Sequence, residues 1–141
     1  MKTLSFITFS ILFVGLTALS YAQNTIPANK KPKVEVFYFH PNERCPIDQS
    51  IEENTIKLIR TDFAKEVTDS LLKLQVLNTD DPVNSKIAEQ FDINTQALYV
   101  VRNEQGQEQK TNLTDFAFAT SKNNPAKFLD RLKEEIIKAL K

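Results

Sequence analysis

Glycine is nearly absent from this chain of 141 residues, which holds only Gly15 and Gly106. Loops that cradle phosphate groups need several clustered glycines, so flavin or nicotinamide binding through such a loop is not expected, and no cofactor is assigned. Histidine is scarcer still. His40 stands alone, and one histidine supports neither a Ser-His-Asp arrangement nor a convincing metal site with Cys45. Cysteine also occurs once. An intramolecular disulfide is therefore impossible, leaving a free thiol or an intermolecular pair. Neither sign of charge is in surplus, with 18 basic and 18 acidic residues, so nucleic acid is not an expected partner.

What the chain does have begins with an apolar N-terminus. Lys2 precedes a nearly uncharged run over residues 4–19, and Ser20, Tyr21 and Ala22 offer a small-residue cleavage site. Residues 1–22 are expected to be a signal peptide; the run is short for a membrane anchor. No cysteine follows closely enough for lipid attachment. A periplasmic or secreted product with no membrane span after cleavage is the expectation. Residues 23–33, with Pro27, Pro32 and three lysines, read as an exposed leader. The remainder, residues 34–141, is about 110 residues long, enough for one domain with one core. Removal of Lys2 leaves a net charge of −1 (17 minus 18). Oligomeric state is not legible at this level.

The densest signal lies over residues 34–48. Val34, Val36, Phe37, Tyr38 and Phe39 are β-branched or aromatic and predict a buried strand. A polar turn with Pro41 follows, and Cys45 opens a long helical pattern. A thiol there would meet unpaired N–H groups and the positive end of a helix dipole, both of which favour the thiolate. Arg44 would add a fixed charge, and His40 is a candidate proton partner. The blander readings are an inert buried cysteine and a solvent-facing histidine at a strand end. Asp48, one turn on, would oppose a thiolate by its charge or simply complement the helix dipole; the second is preferred.

Beyond Cys45, Ile47, Ile51, Leu58, Ile59, Phe63 and Val67 recur at helical spacing and predict one helix ending within residues 67–70. Residues 71–77 read as a second strand. A short helix running to Phe91 is expected, capped by Asp81 or Asn84. Residues 97–101 read as a third strand. A hairpin turn over residues 103–106 and a polar edge strand over residues 107–113 follow. Residues 114–123 are expected to connect, and Pro125 opens a final amphipathic helix. This order predicts an α/β fold, a mixed four-stranded sheet covered by helices on both faces, with parallel strands where a helix joins neighbours.

The element order, with Tyr38-Phe39-His40 leading into Arg44-Cys45, resembles the thioredoxin superfamily. With Asp115-Phe116-Ala117-Phe118 and Asn123-Asn124-Pro125 added, it is similar to the exported bacterial ArsF family, labelled a nitrophenyl compound nitroreductase subunit. The likeness spans residues 34–140. It implies a thiol or redox role outside the cytoplasm, with Cys45, Arg44 and His40 as site residues. Pro46, Gln96, Phe116 and Phe118 would form a groove for a protein thiol partner or a small apolar ligand. Two features depart from the pattern: Asp48 stands where a dithiol site has its second cysteine, and no proline occurs near Gln96. The competing expectation is a non-catalytic interaction module that keeps the fold without dithiol chemistry.

Overall fold

The computed structural model describes residues 31–141; the expected signal peptide and most of the leader lie outside them. Strand β1, Val34–His40, is buried at all seven positions. Its even-numbered residues Val34, Val36 and Tyr38 enter one core, while Phe37 and Phe39 enter another on the opposite face. A strand buried on both faces favours β-branched and aromatic residues, and Glu35, which breaks the run, is buried with its carboxylate hydrogen-bonded to Gln75 and Asn103.

Helix α1, Pro46–Asp62, follows the turn after β1. Pro46 stands at the first helical position, where a missing N–H costs nothing. Its buried residues Ile51, Thr55, Leu58 and Ile59 share one stripe. The expected single helix is interrupted: Phe63 leaves helical geometry at φ −126°, and a short helix α2, Ala64–Thr68, resumes behind it. Phe63 itself is buried in the main core, so the break turns the chain while its ring stays anchored. Ser70, at φ 57°, completes the reversal into strand β2, Leu72–Asn78.

A 3-10 turn, Pro82–Asn84, is capped by Asp81, whose side chain accepts from the Val83 N–H. Asp81 is thus the expected cap that makes the bond. Asn84, the other candidate, instead donates to the Asn78 carbonyl at 2.9 Å. Helix α3, Ser85–Gln90, follows, then strand β3, Ala97–Glu104, and strand β4, Gln107–Asn112. Gln105 and Gly106 form the two-residue turn between β3 and β4, both at positive φ (51° and 80°), as the twist of a tight hairpin requires.

Residues 114–123 are a correction. They contain helix α4, Thr114–Thr120, not merely a connection. Leu113, Ala117, Thr120 and Ser121 are buried at helical spacing, but small and polar residues at these positions concealed the stripe. Helix α5, Pro125–Leu140, closes the chain, with the Asn124 side chain accepting from the Lys127 N–H.

The sheet order is β2-β1-β3-β4. β1 runs parallel to β2 and antiparallel to β3, and β4 is antiparallel to β3. The main core joins α1, α4 and α5 to one face through Ile51, Leu58, Ala117, Phe128, Leu132 and Ile136. On the other face α3 brings Ala88, with Phe91 following, against Phe37, Phe39 and Val101. This is the thioredoxin-like arrangement: a mixed four-stranded sheet with helices on both faces.

Candidate functional site around Cys45

The C-terminal end of β1, the following turn and the first two turns of α1 bring six polar side chains together. Cys45 is the N-cap residue of α1, in extended geometry at φ −79° and ψ 164°. It is exposed and free, which corrects the reading of a buried cysteine.

Asp48 lies below it, only 3 % exposed. One carboxylate oxygen, Oδ2, accepts from the Cys45 backbone N–H at 2.9 Å. This is the third-position half of a capping box. The other oxygen, Oδ1, is buried without a hydrogen-bond partner in the described residues. Asp48 therefore serves the helix start, as its position beside the dipole led one to expect. It does so from inside the protein rather than from the surface.

Tyr38, fully buried on β1, donates its hydroxyl to the Asp48 backbone carbonyl at 2.9 Å. That bond ties the strand to the first turn of the helix. Burial, reinforced by the neighbouring Asp48 charge, raises the Tyr38 phenol above its ordinary value.

Arg44 turns back from Cys45 towards the strand. Its Nη1 pairs with Glu52 Oε2, two turns into α1. Its Nη2 lies 2.7 Å from His40 Nε2, and its Nε lies 3.1 Å from His40 Nδ1. His40 Nδ1 is also 2.9 Å from the Pro41 carbonyl oxygen. Arginine only donates, so the tautomer with Nδ1–H towards Pro41 and a lone pair on Nε2 satisfies the Pro41 and Arg44 Nη2 contacts, leaving the Arg44 Nε–H approach to Nδ1 without an acceptor. His40 is buried at 7 % exposure, correcting the reading of a solvent-facing strand end. Its ring nitrogens are taken up by Arg44 and Pro41, so it orients the arginine.

The four expected groove residues are only partly gathered. Pro46 adjoins Cys45 and is exposed. Gln96 immediately precedes Ala97, which pairs with Phe39, so it lies at the same end of the sheet as the turn before Cys45. Phe118 packs against the main core, and Phe116 is half-buried with the Lys127 ammonium 5.9 Å from its ring centre. Cavities of about 660 and 340 Å³ lie elsewhere, at the start of β2 and between α1 and α5. Among the described residues, no group of three His, Cys, Asp or Glu side chains is placed to hold a metal ion. No described helix is long and apolar enough to cross a membrane.

Sequence reasoning missed Tyr38 and Glu52 as members of this network. Tyr38 carried a usable signal, since a tyrosine on a buried strand face needs a partner for its hydroxyl. Glu52 carried none, because its pairing with Arg44 depends on how the turn folds back. A buried carboxylate on β1 was also overlooked. Glu35, 5 % exposed, accepts from Gln75 at 2.8 Å and Asn103 at 2.9 Å, but at the far end of the strand from Cys45.

No family model and no curated protein matches the sequence. Among solved structures, the chain is similar to a thioredoxin from Thermus thermophilus, known from a solution structure, at 17% sequence identity and a TM-score of 0.47, with 76% of each chain covered.

Proposed function

We propose that the chain is an exported, ArsF-type thioredoxin-fold protein that works through one thiol. The observation carrying this reading is the exposed sulfur of Cys45 at the N-cap of α1. In the thiolate form, Cys45 attacks one sulfur of a partner disulfide. A Cys45–partner disulfide forms and the partner's other sulfur leaves as a thiolate. No second cysteine exists to resolve this adduct, so an external thiol must attack it, regenerating Cys45. Arg44, next to Cys45 in sequence, is held by His40 and Glu52, and Asp48 fixes the N-cap.

A second reading is favoured by one specific observation. Asp48 occupies the position of a resolving thiol as a buried cap, which is structural service rather than redox chemistry. On this view the fold is retained as an interaction module for a protein partner.

One experiment separates the two. Trapping in the native compartment with acid quenching and alkylation is expected to capture mixed disulfides from wild type, absent from Cys45→Ser and released by added thiol. Partner capture that persists undiminished in Cys45→Ser, with no thiol-sensitive adduct from wild type, would instead establish the interaction module.

A further inference from the structure

Among the described residues the outer edge of β2 is unpaired, because β2 ends the sheet with β1 as its one strand neighbour. Such an edge presents backbone donors and acceptors ready for another strand, and proteins ordinarily blunt it with charge or proline. Here Lys73 is the one charged residue in Leu72–Asn78, and there is no proline. Leu74, Val76 and Leu77 remain half-buried along it.

The two ends of this strand differ in chemistry. At its start, Lys31, Arg60 and Lys73 line a cavity of about 660 Å³ together with Val67, Leu72 and Leu74. Arg60 and Lys73 make no ion pair among the described residues, and the Glu35 carboxylate in the same cavity is occupied by Gln75, Asn103 and Lys31. At its end stand Asp80 and Asp81, both exposed. Apolar exposure follows the same division: Val67 and Leu71, each 43% exposed, flank the start, and Val83, 80% exposed, flanks the end.

An edge that is cationic at one end and acidic at the other fits a reversed copy of itself. We propose that β2 is the interface of a two-fold homodimer, in which the β2 strands of two copies pair antiparallel about Gln75. Leu72 then lies opposite Asn78 of the partner subunit, and the cationic groove lies beside Asp80 and Asp81 of the partner subunit. Val67 and Leu71 approach Val83 of the partner subunit. Two-fold pairing repeats each contact, so a modest complementarity counts twice. The inference is independent of any chemistry at Cys45.

Charge reversal tests it with the full chain, kept in reductant so that Cys45 cannot link copies. Sedimentation velocity across a concentration series is expected to show a monomer–dimer equilibrium for wild type. Arg60→Glu with Lys73→Glu, and separately Asp80→Lys with Asp81→Lys, should each weaken dimerisation by about tenfold or more. Mixing the two variants should restore it, because each then offers what the other lacks. Wild type remaining a monomer throughout, association indifferent to the reversals, or no recovery on mixing would overturn the interface. Asp81 caps the 3-10 turn, so far-ultraviolet circular dichroism first checks that variant. Should it misfold, dimerisation of Arg60→Glu with Lys73→Glu is compared with wild type at low and high salt. Weaker association than wild type with a reversed salt response, high salt now strengthening the dimer, supports the interface; an unchanged affinity or an unchanged salt response overturns it.

Discussion

Asp48 is the residue that fixes the start of α1. Its carboxylate accepts from the Cys45 N–H, so Asp48→Ala is expected to cost about 1 kcal/mol, the usual worth of a helix cap, in urea unfolding. Asp48→Asn, which keeps an acceptor there, should cost less. Tyr38 provides a second check. Removing its hydroxyl in Tyr38→Phe deletes a buried bond to the Asp48 carbonyl, with an expected loss of about 1 kcal/mol. The same variant changes the alkaline limit. Because the folded phenol is raised above its unfolded value, its contribution is complete below about pH 10 and is lost as pH climbs beyond it. Wild type should therefore lose more stability than Tyr38→Phe when unfolding is followed above that pH. Of this site, Cys45 at a helix start was legible from the strand, turn and helix pattern alone. The burial of Asp48 and His40 was not, because both lie in a polar stretch whose inward-facing positions are set by the turn and by contacts to β1.

At the scale of elements, legibility followed the strength of periodicity. β1 and α5 were plain because large apolar residues mark most of their buried positions. α4 was hidden because Ala117, Thr120 and Ser121 carry its buried face, and such residues look the same in a loop. The interruption at Phe63 was hidden for a different reason: no glycine or proline marks it, and the turn is imposed by the route from α1 to β2. Phe63→Ala should thus be among the costly substitutions, losing about 3–5 kcal/mol in chemical denaturation, since the ring fills core space at the point of the bend. The β3–β4 hairpin predicts a smaller effect. Gly106 sits at φ 80° with open space where a side chain would project, so Gly106→Ala carries backbone strain without a clash. An expected loss of about 1 kcal/mol, read from the thermal midpoint, isolates that strain.

For the molecule as a whole, the parallel pairing of β1 with β2 and the antiparallel β3–β4 hairpin were legible from the order of elements, since a helix between neighbouring strands calls for parallel pairing. The antiparallel placement of β3 beside β1 was not, because no local pattern states which edge a later strand joins. Long-range ion pairs were equally silent. Hydrogen bonding from Lys133 holds the Asp62 carboxyl below its usual range, and bonding from Lys31 does the same for Glu108. A lowered carboxyl contributes above its unfolded value and loses that contribution as pH falls through the folded one. Acid unfolding should therefore show a small shared loss below about pH 4, diminished by salt because these pairs are solvent-exposed.

Core material is distributed unequally about the sheet. Three helices close one face, whereas the six-residue α3 and the residues just after it guard the other. In deuterated buffer, amides of α3 should exchange early, through local opening, while those of β1 persist until the entire molecule unfolds. The molecule would thus possess a hard side and a soft side, with β1 as the common wall.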